Sequence, residues 1–229
     1  MTLGLSRFAL PLFIALLGLE NRSLTFKGAI SAIFLSYILI LRQNFSWFLI
    51  LFFFYVIGTI ATRLKSKEKK KSELMQKTRG AWNVMGNGGI GLIFALLGGV
   101  VGFIGFVGAT ATAAADTLSS EVGVLSKSKP RMVTNFKKVE PGTNGAVSNL
   151  GIFAAVVGAL LIGLGSMIEF SWIIVPIALI SGVIGHFADS FVGALIENKD
   201  LIGNSTTNFL ATTSGGVVAM LIYLIVLSA

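Results

Sequence analysis

The stretch that decides the fold of this chain is residues 86–122, GNGGIGLIFALLGGVVGFIGFVGATATAAADTLSSEV. It is glycine-rich and apolar almost throughout, and it is too long for one bilayer-spanning helix, which needs about 20 residues. Divided in two, it gives two rather short helices. Because glycine permits a tight reversal of the backbone, we expect the division at Gly98-Gly99.

The composition of the whole chain indicates a membrane protein. Of the 229 residues, 54% are hydrophobic and 12% are charged, whereas an ordinary soluble domain has about 25% charged residues. With a mean hydropathy of +0.85, the composition excludes a disordered chain, a coiled coil and a typical water-soluble α/β enzyme. The chain has no cysteine, which excludes a disulfide framework, a thiolate metal site and a cysteine nucleophile.

Long apolar runs form helices in lipid because the bilayer offers the backbone no other hydrogen-bond partners. The predicted fold is therefore an all-α polytopic transmembrane bundle, a single integral-membrane domain over residues 1–229 with no separate soluble domain. The first apolar run lacks a small-residue cleavage site after it, so we expect it to be retained as a span. The expected spans are 3–19, 27–41, 45–64, 82–98, 100–122, 146–167, 172–196 and 206–228.

Eight spans and seven spans make different predictions about charge. With eight spans, every lysine and arginine except Arg7 and Arg42 falls on one side of the membrane. Merging residues 82–122 into one span, which gives seven, would put the basic segment 65–79 and the basic loop 127–138 on opposite sides. Because cytoplasmic loops carry the excess of lysine and arginine, we expect eight spans, basic loops in the cytoplasm and both termini outside.

The formal charge of +8 would suit nucleic-acid binding on a soluble protein, but its distribution favours another partner. The run Lys65–Lys71 contains no aromatic residue, and such a run at the end of a span sets topology and meets anionic lipid head groups. We therefore expect the lipid bilayer, and no nucleic acid, as a partner. The glycine-rich spans also permit a homodimer through small-residue contacts.

Polar residues interrupt the apolar spans in five clusters. Ionisable groups at membrane depth are unfavourable, so each is a candidate functional residue. In the eight-span topology all five clusters fall at the cytoplasmic ends of their helices, although only lysine and arginine were used to choose that topology. The clusters are Arg79–Asn87, Asp116–Glu121, Pro141–Ser148, Asp189-Ser190 and Asn204–Asn208.

The residue types in these clusters suit the chemistry of phosphate. Asp116, Glu121 and Asp189 supply hard oxygen ligands for Mg²⁺, which favours carboxylates together with substrate phosphates. The glycine-rich segment 141–145 runs into a helix start, where exposed N–H groups and the helix dipole favour phosphate. Nearby basic side chains can neutralise further phosphate charge. The set is typical of phosphoryl transfer.

Other interpretations of the same residues stay open. A single intramembrane carboxylate is often the structural partner of an arginine, or part of an ion pathway in a transporter. His186, three residues before Asp189, is either a packing residue or part of the site. Residues 86–91 match the pattern G-x-G-x-x-G, but a dinucleotide fold needs a preceding strand, and a lysine-rich loop precedes the pattern here.

As an ordered set, the five clusters resemble the integral-membrane family that contains the plant phytyl-phosphate kinase of vitamin E biosynthesis and archaeal and bacterial relatives. The resemblance covers residues 79–210. Asn83 stands where the family usually has glutamine, and Leu118 stands where it has an aromatic residue, but neither departure removes a carboxylate. The matching segments are Arg79…Asn83-Val84…Asn87-Gly88, Ala115–Glu121, Gly142–Ser148, Asp189-Ser190…Gly193-Ala194 and Asn204…Asn208.

The resemblance implies a CTP-dependent kinase that phosphorylates a prenyl monophosphate, of the phytyl or geranylgeranyl type, to the diphosphate with Mg²⁺. The tail of such an acceptor would lie between helices, with its phosphate at the cytoplasmic rim. A lipid-alcohol kinase or a cytidylyltransferase would share the metal site, and an ion-coupled transporter is the alternative from another class.

The expected catalytic residues are Arg79 and the three carboxylates Asp116, Glu121 and Asp189, which are also the expected metal ligands. The expected nucleotide- and phosphate-binding residues supply amides, hydroxyls, lysines and glycine backbone. They are Asn83, Asn87, Gly88, Thr117, Ser120, Lys137, Lys138, Gly142, Thr143, Asn144, Gly145, Ser148, Ser190, Asn204 and Asn208.

Overall fold

The computed structural model describes residues 2–64 and 78–228. Its regular structure is almost entirely helical, as the sequence predicts. The α-helices within those residues are α1 (Thr2–Glu20), α2 (Phe26–Arg42), α3 (Phe45–Arg63), α4 (Ala81–Leu97), α5 (Gly99–Gly123), α6 (Asn149–Ser166), α7 (Ile174–Leu195) and α8 (Asn204–Ser228). The segment between α5 and α6 adds two short antiparallel strands, β1 (Arg131–Met132) and β2 (Ala146–Val147), and a 3₁₀ turn (Glu197–Lys199) follows α7.

Each of these helices corresponds to one of the expected spans, with ends that differ by a few residues. Within the described residues, five helices are long and apolar enough to cross a membrane, namely Phe45–Arg63, Gly99–Gly123, Asn149–Ser166, Ile174–Lys199 and Asn204–Ser228. Ala81–Leu97 is apolar but shorter. The basic run 65–77, which the sequence assigns to a cytoplasmic loop, lies outside the described residues.

The reversal between α4 and α5 falls at the predicted glycine pair. Gly98 and Gly99 have φ angles of +67° and +62°, a region of backbone space that glycine enters without the steric penalty of a Cβ atom. One helix ends at Leu97 and the next begins at Gly99. The prediction that residues 86–122 form two helices rather than one is therefore confirmed.

Helix α5 forms the centre of the bundle. Every residue from Gly102 to Ala115 is buried, and the helix packs against α3, α4, α6, α7 and α8. A Cβ atom on Gly158 of α6 would lie only 2.8 Å from the carbonyl oxygen of Ala114. Such close backbone approach through small residues is typical of helix packing in membranes, and it fixes the height of α6 against α5.

The N-terminal helices form a flank on this centre. Helix α1 packs on α2, α2 packs on α4, and α3 packs on α5 and α6. Since successive helices alternate in direction, α4, α6 and α8 begin at the end of the bundle where α5 and α7 terminate. The predicted polar clusters all belong to that end.

Candidate active site

A polar cavity of about 480 Å³ opens at the end of the bundle where α4, α6 and α8 begin and α5 and α7 terminate. All five predicted polar clusters contribute to its wall. The first turns of α4 and α8, together with Ser148 just before α6, therefore border one space. Because the N-terminal end of a helix carries unpaired N–H groups and a partial positive charge, this arrangement suits an anionic ligand.

Most of the residues that the sequence selects share this cavity. Those that line it are Arg79, Asn83, Asn87, Asp116, Thr117, Ser120, Glu121, Gly142, Thr143, Asn144, Gly145, Ser148, Asp189, Ser190, Asn204 and Asn208. Polar residue type and position at a helix end were sufficient to find the wall of a single cavity. Their roles in binding or catalysis stay predictions.

Three selected residues lie elsewhere. Lys137 and Lys138 are exposed in the segment between β1 and β2, outside the cavity wall. Gly88 is buried in α4, and a Cβ atom there would lie 2.9 Å from Leu35 Cδ1 on α2. Gly88 therefore borders a neighbouring apolar cleft rather than the polar cavity.

Asp116 of α5 and Asp189 of α7 are neighbouring carboxylates in the wall of this cavity. Asp116 Oδ1 is also 3.2 Å from His186 Nδ1, so His186 belongs to the same group. Among the described residues, the buried atoms His186 Nε2 and Asp189 Oδ1 have no hydrogen-bond partner. Two adjacent carboxylates repel unless a proton or a cation lies with them, so the pair Asp116 and Asp189 has the charge for a cation, and Asp189 Oδ1 is an unused ligand atom.

The pair Asp116 and Asp189 fits the expected Mg²⁺ better than the expected set of three carboxylates does. Within residues 2–64 and 78–228, no three Asp, Glu, His or Cys side chains are grouped closely enough to hold a metal ion. Glu121 accepts a hydrogen bond from Thr62 Oγ1 at 2.8 Å. Mg²⁺ commonly takes one or two protein carboxylates and completes its shell with water and substrate phosphates, so two carboxylates are sufficient.

Arg79 is held at the cavity wall by its own backbone. Its N–H donates to the Ser23 carbonyl, and its carbonyl accepts from the Thr25 N–H, both at 3.0 Å. The segment before α4 is thereby tied to the turn between α1 and α2. The guanidinium donates to Thr59 Oγ1 at 3.1 Å. Burial lowers the pKa of Arg79, while the nearby Glu121 carboxylate opposes that shift.

The predicted glycine-rich loop packs tightly on α7. Gly142 and Gly145 have φ angles of +89° and +77°, and a Cβ atom on Gly145 would lie 2.6 Å from the Ser190 carbonyl oxygen. The side chain of Asn144 donates to Glu197 Oε1 at 3.0 Å. The loop is thus fixed against the end of α7 and the 3₁₀ turn that follows it.

Glu197 lines the cavity, although the sequence interpretation did not select it. Its two carboxylate oxygens accept hydrogen bonds from Asn144 Nδ2 and from Thr207 Oγ1, the latter at 2.7 Å. The carboxylate therefore links the third and fifth polar clusters. Its signal in the sequence was an acidic residue about two helical turns after Asp189 and shortly before the fifth cluster.

Ser148, selected as a phosphate-binding residue, has a visible structural role. Its hydroxyl accepts from the Gly151 N–H at 3.1 Å, which caps α6, and donates to the Gly123 carbonyl at 3.1 Å.

Loss of such a cap costs about 1 kcal/mol. We expect Ser148→Ala to reduce the free energy of unfolding by about that amount, measured by denaturant unfolding in detergent micelles. Ser128→Ala, in an exposed loop, is the matched control, and equal stability of the two variants would contradict the capping role.

Comparison with known proteins gives one family and several relatives. The chain matches the family described as integral membrane protein DUF92 over residues 9–216. It is 38% identical over 215 residues to a membrane protein of Methanocaldococcus jannaschii, covering 92% of this chain and 90% of that protein. It is 30% identical over 193 residues to the chloroplastic protein VTE6 of Arabidopsis thaliana, covering 76% of this chain and 57% of that protein. The protein PGR of the same plant is 27% identical over 224 residues, covering 80% and 75%. No solved structure matches the chain.

Proposed function

The chain belongs to the integral membrane protein family DUF92, and on that premise we propose that it is a membrane-embedded kinase that transfers a phosphate group from CTP to a prenyl monophosphate. One observation carries the proposal. A single cavity is lined by the adjacent carboxylates Asp116 and Asp189, by the guanidinium of Arg79, by several asparagine amides and by the loop 141–145.

In the proposed reaction an oxygen of the acceptor phosphate attacks the terminal phosphorus of CTP. One P–O bond forms while the bond to the departing CDP breaks. Both reactants are anions, so the main task of the site is to bring negative charges together in the correct alignment. Bound Mg²⁺, held by Asp116 and Asp189, would neutralise phosphate charge.

The other residues of the cavity support the same reaction. Arg79 supplies a positive charge at the cavity wall, and the first turns of α4 and α8 border the cavity through Asn83 and Asn204, where helix N-terminal ends favour phosphate. Asn87 and Asn144 carry amides that can orient phosphate or base through hydrogen bonds. His186 Nδ1 lies 3.2 Å from Asp116 Oδ1, and as a donor it would hold that carboxylate in one orientation, as the outer residues of metal sites do.

Different evidence supports each part of the proposal, namely CTP, the prenyl acceptor and the cytoplasmic location of the site. The donor and the acceptor come from the family resemblance of the five ordered motifs. The cytoplasmic location comes from the distribution of lysine and arginine. The position of the polar residues at one end of the bundle, rather than at the membrane midplane, argues against a transporter, whose sites lie near the midplane.

The test uses purified protein in detergent micelles with geranylgeranyl phosphate, Mg²⁺ and CTP labelled at the terminal phosphate. We expect labelled geranylgeranyl diphosphate and CDP, with CTP used in preference to ATP, and we expect EDTA to stop the reaction. Product mass separates the related activities. Phosphorylation of geranylgeraniol instead of its phosphate would indicate a lipid-alcohol kinase, and a cytidine diphosphate ester would indicate a cytidylyltransferase. Absence of turnover with every nucleoside triphosphate and prenyl phosphate would contradict the proposal.

A further inference from the structure

An apolar cleft of about 90 Å³ lies beside the polar cavity, between α1, α2, α3 and α4. Its wall is formed by aliphatic and aromatic side chains, of which Phe48, Phe52 and Tyr55 come from α3. From Tyr55 to Phe48 the cleft follows α3 for about 10 Å along the helix axis. The hydroxyl of Ser36, which also borders the cleft, already donates to the Ala32 carbonyl at 2.7 Å.

The cleft and the polar cavity meet at three residues. Arg79, Asn83 and Asn87 line both spaces. An elongated ligand can therefore have its apolar part among the N-terminal helices while its polar end reaches the group of Asp116 and Asp189. A ligand of this shape has one charged end and one hydrocarbon chain.

Arg79 is well placed to bind the charged end of such a ligand. The planar guanidinium carries five N–H donors, more than its hydrogen bonds to Thr59 and Thr62 use. Its Cζ lies 6.0 Å from the centre of the Tyr55 ring, in a cation–π contact at the top of the cleft. Arginine binds phosphate through paired hydrogen bonds, so the charge at the junction complements a phosphate group.

We propose, on the basis of the function proposed above, that the cleft between α1, α2, α3 and α4 binds the hydrocarbon chain of the acceptor while Arg79 binds the acceptor phosphate. The occupant is a single-chain prenyl or alkyl monophosphate. The cleft has a volume of only about 90 Å³, which favours one hydrocarbon chain over the two acyl chains of a phospholipid. Arg79 then contacts the acceptor rather than the donor.

Gly88 determines how far the chain can reach. A Cβ atom at this position would lie 2.9 Å from Leu35 Cδ1 and 3.9 Å from Leu51 Cδ1, and both leucines border the cleft. A larger side chain at Gly88 therefore fills the space below the junction without touching the carboxylates. The neighbouring Gly89 lies outside the cleft wall, and its Cβ atom would meet only Met85 Cε, at 3.5 Å.

The experiment compares Gly88→Val with the matched control Gly89→Val, using geranylgeranyl phosphate as the long acceptor and dimethylallyl phosphate as the short one. We expect Gly88→Val to reduce kcat/KM for the long acceptor about tenfold, the effect of losing the burial of one or two methylene groups. The short acceptor should change less than about twofold, because its chain of roughly 5 Å ends before Leu51, which lies about 6 Å along α3 from Tyr55. Gly89→Val should leave both values near those of the wild type. Ala32→Leu, which narrows the cleft from α2, is expected to repeat the effect if Gly88→Val does not fold.

Equal effects of Gly88→Val and Ala32→Leu on both chain lengths would overturn the proposal. Effective competition by dioleoyl phosphatidic acid would overturn the single-chain occupant. Arg79→Gln is expected to raise KM for the acceptor more than KM for CTP, and the reverse order would contradict the role of Arg79.

A binding measurement separates failure of the cleft from failure of the kinase function. Radiolabelled geranylgeranyl phosphate is bound to the same variants with EDTA and without nucleotide. Loss of binding in Gly88→Val, but not in Gly89→Val, supports the cleft even if the wild type shows no turnover. If the wild type turns over and the variants do not differ in their binding of geranylgeranyl phosphate, the kinase function is supported and the cleft is excluded as the site of the hydrocarbon chain.

Discussion

Replacing Asp116 with asparagine is expected to reduce phosphoryl transfer by about 100-fold or more, because it removes a charge that the reacting phosphates and their cation need. Asparagine has nearly the same shape and retains an oxygen that can face His186 Nδ1, which lies 3.2 Å from Asp116 Oδ1. The substitution therefore changes the charge beside Asp189 with little change in packing. The measurement is the rate of prenyl diphosphate formation by purified Asp116→Asn, with the thermal midpoint as a check on folding.

The matched control is a carboxylate at the other end of the bundle. Glu169 lies in the connection between α6 and α7 and accepts hydrogen bonds from Asn44 and Ser46. Glu169→Gln makes the same chemical change and should retain the activity of the wild type. If Asp116→Asn also keeps that activity, neither the metal role nor the catalytic role of Asp116 can stand.

Substitution of Gly215 by alanine is expected to have the largest effect on stability. Thr112, fully buried on α5, donates from Oγ1 to the Gly108 carbonyl at 2.9 Å. A Cβ atom on Gly215 of α8 would occupy the space of that same Thr112 oxygen. Overpacking of this kind costs about 1–3 kcal/mol and sometimes more, so we expect Gly215→Ala to lower the free energy of unfolding by about 3 kcal/mol. Unfolding in detergent micelles measures the change.

Two further variants make this prediction specific to the contact. Gly89→Ala adds the same methyl group inside a helix, where a Cβ atom would meet only Met85 Cε, at 3.5 Å, among the described residues, and it should be no less stable than the wild type. Combining Gly215→Ala with Thr112→Ala removes the colliding oxygen and should recover part of the lost stability. A double variant no more stable than Gly215→Ala alone would show that another contact is responsible.

Much of the fold follows from local sequence because lipid leaves the backbone few choices. Long apolar runs predict the helices, and the glycine pair predicts the reversal at Gly98. The family predicted from the ordered polar clusters is confirmed by the match over residues 9–216. What local sequence could not predict is which glycine faces which partner. Gly215, for example, is one of 27 glycines. It cannot accept a larger side chain because of Thr112, a residue far away in the chain.

The candidate site was likewise predicted only in part from the sequence. Residue type and position at a helix end indicate Asp116 and Asp189, and the structure brings them together. The partners of Glu121 and Arg79 on α3 were not predicted, because Thr59 and Thr62 carry no charge and lie in an apolar span. Lys137 and Lys138 were predicted from charge and sequence proximity alone, and the fold of the β1–β2 segment places them outside the cavity. Leu118, where the family has an aromatic residue, packs with Ala61 and Ala154.

The loopless reversal at Gly98-Gly99 has a consequence for insertions and deletions. Counted from the reversal, Ala81 at the start of α4 and Asp116 on α5 are each 17 residues away, or roughly 25 Å at the rise of an α-helix. An insertion of one residue in α4 or in the part of α5 before Asp116 would move the rest of that helix by about 1.5 Å and rotate it by about 100° about the helix axis. No loop is present at the reversal to absorb the change. The lengths of the two helices thus set the distance between Ala81 and Asp116, so the number of residues between them is fixed even at positions where the side chain is free to vary.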